Sequence, residues 1–255
     1  TLSLHDALPI SFYVLETNAL SGIANKLGVR IGGIGLNAHR NSGMPGEVVG
    51  IPVRPGLGED PDGSAAAAAR ERWNLDPERP TIVVTGGSQG AVSINTAVAG
   101  ALSQLTEKYQ VLHAYGKKNV APAEAEHYTA LPYIDDMAGA LAVADLMVCR
   151  SGAMTVAEVT AAGVPAIYIP LPIGNGEQAL NSGELVAAGA AVQILDAELT
   201  PQRLVDEVQA TLGDEQRYAA MRKAAATNSA GDVANTIADH IRDMIDEASR
   251  AAHTD

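Results

Sequence analysis

Short apolar runs alternate with longer amphipathic stretches through the middle of the chain. From residue 81 onward, strands are predicted at TIVVT, VLHAY, DLMVC, AIYIP and AVQIL. Helical stretches separate them, namely one from GGSQGA to about Lys108, then DDMAGALAVA, residues 150–163 and EQALNSGELVAAG, while APAEAEHYTALPYI reads as irregular. Strands and helices that alternate in this way are typical of a parallel sheet covered on both faces. The pattern therefore predicts an α/β fold with a doubly wound parallel sheet.

The flanks of this domain carry fewer elements. Before residue 81, VLETNALSGIANKLGVRIGGIG reads as the end of a strand, a short helix and another strand, and EVVGIPVRP as a strand that ends at prolines. GLGEDPDG reads as a linker, and SAAAAARERWNL as a helix capped by Ser64. Helices are also predicted after residue 200, and the last of them, over 231–250, has an apolar row at helical spacing. That row is Val233, Ile237, Ile241 and Ile245.

The chain is interpreted as five segments. The opening TLSLHDALPI resembles the conceptual translation of a sequencing adapter, so we expect an artefact in front of a truncated natural start, with a genuine disordered terminus as the alternative. The residues between it and the α/β domain are too few for a covered sheet, and we expect the tail of another domain. The segments are 1–10 (artefact), 11–56 (remnant of an N-terminal domain), 57–80 (linker and helix), 81–230 (C-terminal α/β domain) and 231–255 (a helix returning toward the N-terminal domain).

Composition and charge narrow the class of partner. The chain is 47% hydrophobic, which is enough for a sizeable core, and its net charge of −13 argues against a nucleic-acid binder and against adhesion of this part to an anionic membrane. The single cysteine, Cys149, permits no internal disulfide and is expected to be a small buried hydrophobe in a reducing compartment. We find no apolar run long enough to span a bilayer and expect no signal peptide.

The loop GGSQGA follows the strand TIVVT. Gly86, Gly87 and Gly90 permit a tight turn whose N–H groups could face an anion, and Ser88 and Gln89 add side-chain donors. The loop matches neither a Walker A motif nor the dinucleotide fingerprint. The local sequence leaves two interpretations open, a phosphate site and an ordinary glycine turn.

A second loop, RSGAMTVAE, raises the question of what Glu158 does. Ser151, Gly152 and Ala153 are small enough for a ligand to approach the backbone. Thr155 and Glu158 have the spacing of a capping box, in which the carboxylate bonds the N–H of the cap residue. The same carboxylate could instead accept both hydroxyls of a ribose. The local pattern does not choose between these uses.

A third loop, LPIGNGEQALNSG, places Glu177 and Gln178 in the first turn of a helix. An acid there favours the helix dipole, and an acid beside an amide also suits the hydroxyls of a sugar. Three polar loops at the ends of strands in one sheet are expected to converge on one crevice. The histidines have no metal-ligand spacing, so no metal site is predicted. Asp135 and Asp136 most simply cap the helix that follows them.

The block YIDDMAGALAVADLMVCRSGAMTVAEVTAAGVPAIYIPLPIGNGEQALNSGELVAAGAA, together with GGSQGA, resembles the MurG family of undecaprenyldiphospho-muramoylpentapeptide β-N-acetylglucosaminyltransferases. The resemblance covers residues 13 to about 250. It implies a GT-B fold of two Rossmann-like halves and an inverting transfer of GlcNAc from UDP-GlcNAc to the muramoyl 4-hydroxyl of lipid I, which gives lipid II. It also implies no cofactor or metal, and a peripheral location on the cytoplasmic face of the cell membrane.

Position by position, the resemblance implies a set of substrate contacts. Ile134 would hold the uracil through its backbone, with Met137 and Arg54 beside it, and Glu158 would grip the ribose hydroxyls. The glycine loop would meet the diphosphate, helped by the start of the next helix, and Glu177 and Gln178 would meet the sugar. The implied substrate contacts are Asn18, Arg54, Ser88, Gln89, Ile134, Met137, Ala153, Met154, Thr155, Glu158, Glu177 and Gln178, with Gly86, Gly87 and Gly90 in the phosphate loop.

Several positions depart from the family pattern. Leu15 and Thr17 replace the His and Gln of HEQNxxxG, Ile51 replaces the Asn of GNPVR, and Glu177 stands where many members have Gln. The family's N-terminal glycine-rich loop, with the histidine proposed as general base, and its membrane-docking region have no counterpart here. We therefore expect this chain alone to lack transfer activity and leave its catalytic residues unassigned. Two alternatives stay open, namely another GT-B transferase with the same donor and a non-catalytic remnant that binds nucleotide sugars.

Overall fold

The computed structural model describes residues 11–173, 176–228 and 231–252. The expected artefact at 1–10 lies outside the described residues, as do Gly174 and Asn175 of the third loop. The chain falls into two compact units, one of Thr1–Pro52 with Asp232–Asp255 and the other of Val53–Gly231.

The smaller unit contains a three-stranded parallel sheet. The hydroxyl of Tyr13 in its first strand donates to the main-chain carbonyl of His240, which ties that strand to the last helix. In the apolar row of that helix Val233 is buried, whereas Ile241 and Ile245 are exposed. The elements are β1 (Tyr13–Glu16), α1 (Ile23–Arg30), β2 (Ile34–Asn37), β3 (Glu47–Val48) and α10 (Val233–Ala252).

The larger unit is built on a six-stranded parallel sheet. Its strands are β4 (Thr81–Thr85), β5 (Gln110–Ala114), β6 (Tyr128–Leu131), β7 (Leu146–Cys149), β8 (Ala166–Tyr168) and β9 (Ala191–Gln193). Their spatial order is β6-β5-β4-β7-β8-β9, which is the order of dinucleotide-binding domains. The topological switch point, where open α/β sheets bind ligands, therefore lies between β4 and β7.

Helices cover both faces of this sheet. Val83 and Met147 lie in a buried cluster with side chains of α2, α4, α5 and α9, while their strand neighbours Ile82 and Val148 lie in a second cluster with α3 and α8. The predicted doubly wound α/β fold is confirmed. The helices are α2 (Ser64–Trp73), α3 (Val92–Leu105), α4 (Met137–Val143), α5 (Ala153–Ala161), α6 (Glu177–Asn181), α7 (Gly183–Ala187), α8 (Pro201–Leu212) and α9 (Glu215–Thr227).

Two stretches of the larger unit differ from the prediction. The segment APAEAEHYTALPYI contains strand β6, whose four residues are all half-buried at the sheet edge. Its apolar pattern is weak for that reason. The helical stretch EQALNSGELVAAG is broken into α6 and α7, which meet at Ser182.

The predicted cap of α2 is also wrong. Ser64 is the first helical residue, and the N-cap is Gly63, with φ 72°. The free N–H groups of the first turn are satisfied by Asp60, whose carboxylate accepts from the N–H groups of Ala65 and Ala66. Within the described ranges, no helix is long and apolar enough to cross a membrane.

Candidate active site

The three polar loops of the larger unit line one cleft. The glycine loop after β4, the start of α5 after β7 and the segment before α6 surround an open cleft. This convergence at the switch point was predicted from the sequence and is confirmed. The lining residues are Gly86, Gly87, Ser88, Gln89, Gly90, Ala91, Val92, Arg150, Gly152, Thr155, Leu171 and Gln178.

A deeper pocket continues this cleft and shares Gly87, Ser88 and Thr155 with it. Ile134 and Met137, the residues expected at the uracil, lie in its wall. Its lining residues are Thr85, Gly87, Ser88, Ala114, Tyr133, Ile134, Met137, Leu141, Met147, Thr155, Glu158 and Val159. The pocket is therefore mainly apolar, with the polar groups of Glu158 and the glycine loop at its side.

Glu158 does not cap α5. The helix begins at Ala153 after the N-cap Gly152, so Glu158 lies in the second turn, beyond the reach of a capping box. The capping interpretation is wrong because the helix starts two residues before Thr155. The carboxylate of Glu158 instead lines the deeper pocket and forms an ion pair with Arg54, with 3.6 Å between Nη2 and Oε1.

The glycine loop is held closely against the segment that follows β5. At Gly90 φ is 71°, and a Cβ there would lie 2.1 Å from the main-chain oxygen of Tyr115. The side-chain amide of Asn119 donates to the carbonyls of both Gln89 and Tyr115. At Gly87 φ is 84°, but its Cβ position is open. The loop therefore needs glycine at position 90 for space as well as for its backbone angle.

Arg150 joins the elements around the cleft, and the sequence did not single it out. Its Nη1 donates to the carbonyls of Ile169 and Pro170, each at 3.1 Å, and pairs with Asp196. Its Nη2 donates to Ser93 Oγ at 3.0 Å, and that hydroxyl donates to Asp196 at 2.6 Å. The guanidinium thereby connects the ends of β7 and β8 with the first turn of α3.

The carboxylate of Asp196 gains from this network. Burial alone would raise its pKa, but hydrogen bonds from Ser93 and Arg150, together with the charge of Arg150, hold the pKa below the ordinary 3.8. The only sequence signal for the pair is an isolated Arg after an apolar strand, which does not reveal a partner 46 residues away.

A buried histidine lies behind the glycine loop. The ring of His113 in β5 contacts Tyr128 Oη at 2.8 Å through Nδ1 and Asn95 Oδ1 at 3.0 Å through Nε2. The Asn95 amide donates to the carbonyl of Tyr115, the same oxygen that packs on Gly90. Burial lowers the pKa of His113 to about 4. This histidine is neutral near pH 7. Through Asn95 it supports the Tyr115 carbonyl against which the glycine loop packs.

The smaller unit has its own polar cluster around Glu16, which is fully buried. The carboxylate accepts from the N–H groups of Asn18 and Gly22 and from the amide of Asn25. Burial would raise its pKa, but these hydrogen bonds lower it below the ordinary 4.5. Glu16 thus fixes the turn that carries Asn18, a role that the sequence analysis missed.

The remaining predicted residues take varied positions. Gln178 lines the cleft and accepts from the N–H of Leu171 at 3.1 Å, while Glu177 opens α6 beside it. Ala153 and Met154 are the first two residues of α5 and are not among the residues that line the two pockets. Asn18 belongs to the other unit.

Two simpler predictions are confirmed. Asp136 is the N-cap of α4 and accepts from the N–H of Gly139 at 2.9 Å. Cys149 is fully buried, and burial raises the pKa of its thiol. Across the part of the chain that the structure describes, no three His, Cys, Asp or Glu side chains are grouped in a way that could hold a metal ion.

Comparisons with known proteins agree with this architecture. A family model described as the glycosyltransferase family 28 C-terminal domain matches residues 81–237. The UDP-N-acetylglucosamine--N-acetylmuramyl-(pentapeptide) pyrophosphoryl-undecaprenol N-acetylglucosamine transferase of Corynebacterium efficiens is 59% identical over 91% of this chain and 65% of its own length. This chain thus spans about two thirds of the length of such relatives.

Solved structures extend the likeness to the fold. The crystal structure of Acinetobacter baumannii MurG has a TM-score of 0.72 and 29% identity, over 92% of this chain and 67% of that one. The calicheamicin glycosyltransferase CalG4, with a TM-score of 0.60 and 18% identity over 84% of this chain and 54% of that one, shares the fold alone. The sheet order and the likeness to MurG, its structural relative, give this chain a fold of the GT-B type. The matched family model shows that the chain belongs to glycosyltransferase family 28.

Proposed function

We propose that the larger unit binds UDP-GlcNAc and that the full-length protein transfers the GlcNAc to the muramoyl 4-hydroxyl of lipid I, giving lipid II. One observation carries the proposal. Glu158 makes no cap for α5 and lies in one continuous cleft with the glycine loop and the apolar wall at Ile134. An apolar wall, a carboxylate and a turn of backbone N–H groups, in this order, suit a base, a ribose and a diphosphate.

The donor runs along the cleft in this proposal. The uracil lies against Ile134 and Met137, where the main chain at Ile134 can hydrogen-bond its edge, and Arg54 lies beside it. The ribose hydroxyls donate to Glu158 in place of its contact with Arg54. The diphosphate lies over Ser88 and the glycine loop, with the first turn of α5 at Ala153, Met154 and Thr155 facing it, and Gln89 at its rim.

The sugar lies at the far end of the cleft. Glu177 accepts hydrogen bonds from its hydroxyls, and the side-chain amide of Gln178 supplies a further polar contact. The acceptor attacks the anomeric carbon on the face opposite the departing UDP, so that the configuration inverts. We assign no residue of this chain as the general base. The N–H groups of the glycine loop and the N-termini of α3 and α5 carry partial positive charge, which favours the UDP that departs.

The same proposal also implies where in the cell the protein works. Lipid I is an acceptor held in a membrane, so the enzyme works as a peripheral protein on the cytoplasmic face of the cell membrane. No nucleic-acid partner is proposed, because the chain carries a net charge of −13.

Donor binding is tested directly on this chain by calorimetric titration with UDP-GlcNAc and UDP-glucose. Saturable binding that prefers the acetamido sugar is the expected result. Equal affinity for the two donors favours another UDP-sugar transferase, and no binding to a folded chain contradicts the proposal.

Transfer is tested with a hybrid in which the N-terminal third of the Corynebacterium efficiens relative precedes residues 11–255. This hybrid is expected to move GlcNAc onto a soluble lipid I analogue, while the chain alone does not. A hybrid that binds UDP-GlcNAc but never transfers it supports the non-catalytic alternative.

A further inference from the structure

We infer that Lys117 is a further donor-binding residue, whose ammonium group neutralises charge on the diphosphate of the nucleotide. The inference rests on the proposed function, because it assigns a residue to the same donor site. It arises from the position of the loop after β5 and from the charges around the cleft.

The loop after β5 is fixed against the glycine loop. Asn119 bridges the carbonyls of Gln89 and Tyr115, at 2.8 and 2.9 Å. The main chain at Gly116, where φ is 91°, packs so closely on Gln89 that a Cβ would lie 2.4 Å from its carbonyl oxygen. Lys117 is the next residue, so its backbone has a fixed place beside the proposed phosphate loop.

The side chain of Lys117 extends to the wall of the deeper pocket. Its Nζ lies 4.7 Å from the centroid of the Tyr133 ring, within the range of a cation–π contact. Tyr133 lines that pocket together with Gly87 and Ser88. The ammonium therefore lies over a wall residue of the pocket that Gly87 and Ser88 also line, and the Lys117 side chain is exposed.

The arginines around the cleft are already paired. Arg54 pairs with Glu158, Arg150 with Asp196, and Arg72 with Asp136, the cap of α4. Within the described ranges, no carboxylate lies within 4 Å of Lys117 Nζ. In a protein of net charge −13 a local positive group favours a diphosphate, and Lys117 is a lysine over the pocket wall whose charge no carboxylate of the described residues offsets.

Lys118 offers a matched control. It is adjacent in sequence, equally charged and exposed, and among the described residues it makes no cation–π or ion-pair contact. A general effect of positive charge on an acidic protein would be the same for both lysines, whereas a contact with the diphosphate would be confined to Lys117.

The test is calorimetric titration of the chain and of its Lys117→Gln, Lys117→Arg and Lys118→Gln variants with UDP and with uridine, at low and at higher salt. We expect Lys117→Gln to weaken UDP binding by about tenfold and to leave uridine binding within about twofold. Lys117→Arg should retain most of the UDP affinity, and Lys118→Gln should resemble the unchanged chain. The UDP affinity of the unchanged chain should also fall more with salt than that of Lys117→Gln.

Each other outcome overturns the inference. Unchanged UDP affinity in Lys117→Gln shows that the ammonium does not meet the diphosphate. An equal loss for UDP and uridine shows that Lys117 acts through the Tyr133 wall instead. If the unchanged, folded chain binds neither UDP nor UDP-GlcNAc, the proposed function itself fails and this inference with it.

Discussion

Arg54 and Glu158 face each other at the deeper pocket, with 3.6 Å between Nη2 and Oε1. The Glu158 side chain is 19% exposed, and that of Arg54 is 66% exposed, so the pair contributes little to stability. The ion pair holds the Glu158 carboxylate at the pocket. That carboxylate has no capping role in α5.

Replacement of Glu158 by alanine should weaken UDP affinity by at least about tenfold, because two hydrogen bonds from ribose hydroxyls to a carboxylate are lost. The free energy of unfolding should change by less than about 1 kcal/mol, since the Arg54 partner of the ion pair is 66% exposed to solvent. Titration calorimetry and urea unfolding measure the two effects. Glu71→Ala, on an exposed position of α2, is the control and should change neither. A folded Glu158→Ala variant with unchanged affinity would remove the ribose role.

Gly90 and Gly87 should respond differently to alanine. A Cβ at Gly90 would lie 2.1 Å from a backbone oxygen, so the loop must move, and we expect a loss of about 2–4 kcal/mol in the free energy of unfolding together with loss of UDP binding. Gly87 has open space and should lose only about 1 kcal/mol, from its positive φ. Urea unfolding of both variants tests this, and equal losses would mean that backbone angle alone decides.

His113 should make stability depend on pH. Because burial lowers its folded pKa to about 4 from 6.5, the unfolded chain takes up the proton first as pH falls. The free energy of unfolding should therefore drop between about pH 6.5 and pH 4, by about 3 kcal/mol from this residue. Above that window the contribution of His113 is constant.

The matched variant for this prediction is His113→Gln, which keeps hydrogen-bonding capacity but cannot titrate. Its unfolding free energy, measured in urea at several pH values, should have a shallower slope between pH 6.5 and 4 than that of the unchanged chain. Parallel slopes would show that His113 does not stay neutral in the folded state.

Asp196→Asn should lower the free energy of unfolding by about 2–3 kcal/mol near neutral pH, because Arg150 loses its charged partner in a largely buried network. The folded pKa of Asp196 is below 3.8, so its stabilisation is complete above that value and is lost as pH falls through the folded pKa. The difference between the two proteins in urea unfolding should therefore shrink in strong acid. A difference that persists unchanged there would mean that shape, not charge, accounts for the loss.

The sequence predicts the sheet well because its central strands are unambiguous. Every residue of β4, β5 and β7 is buried, and their apolar runs IVV, VL and LMVC are what periodicity detects. β6 was missed because it is half-buried at the sheet edge, where side chains need not be apolar. The meeting of three loops follows from topology alone, since the carboxyl ends of parallel strands share one edge.

Side-chain partners were harder to predict. The capping-box spacing of Thr155 and Glu158 is real, but it does not show where the helix begins. The helix begins at Ala153, three residues earlier than a Thr155 cap would require, so no capping box forms. Only the folded chain brings Arg150 to Asp196. Likewise, only in the folded chain does the Glu16 carboxylate accept from the N–H of Asn18 in the turn that follows. Such contacts depend on three-dimensional distance, which a single sequence pattern does not contain.

The contacts between the glycine loop and residues 115–119 affect how a nucleotide arrives. Gly90 packs on a backbone oxygen, and Asn119 holds the loop carbonyl, so the protein's own atoms set the direction of the loop N–H groups. The conformational-entropy cost of ordering the glycine loop is therefore met when the chain folds and not when the ligand binds. The association rate is then set by diffusion and charge. Ligands that fit the glycine loop differently will differ mainly in their dissociation rates.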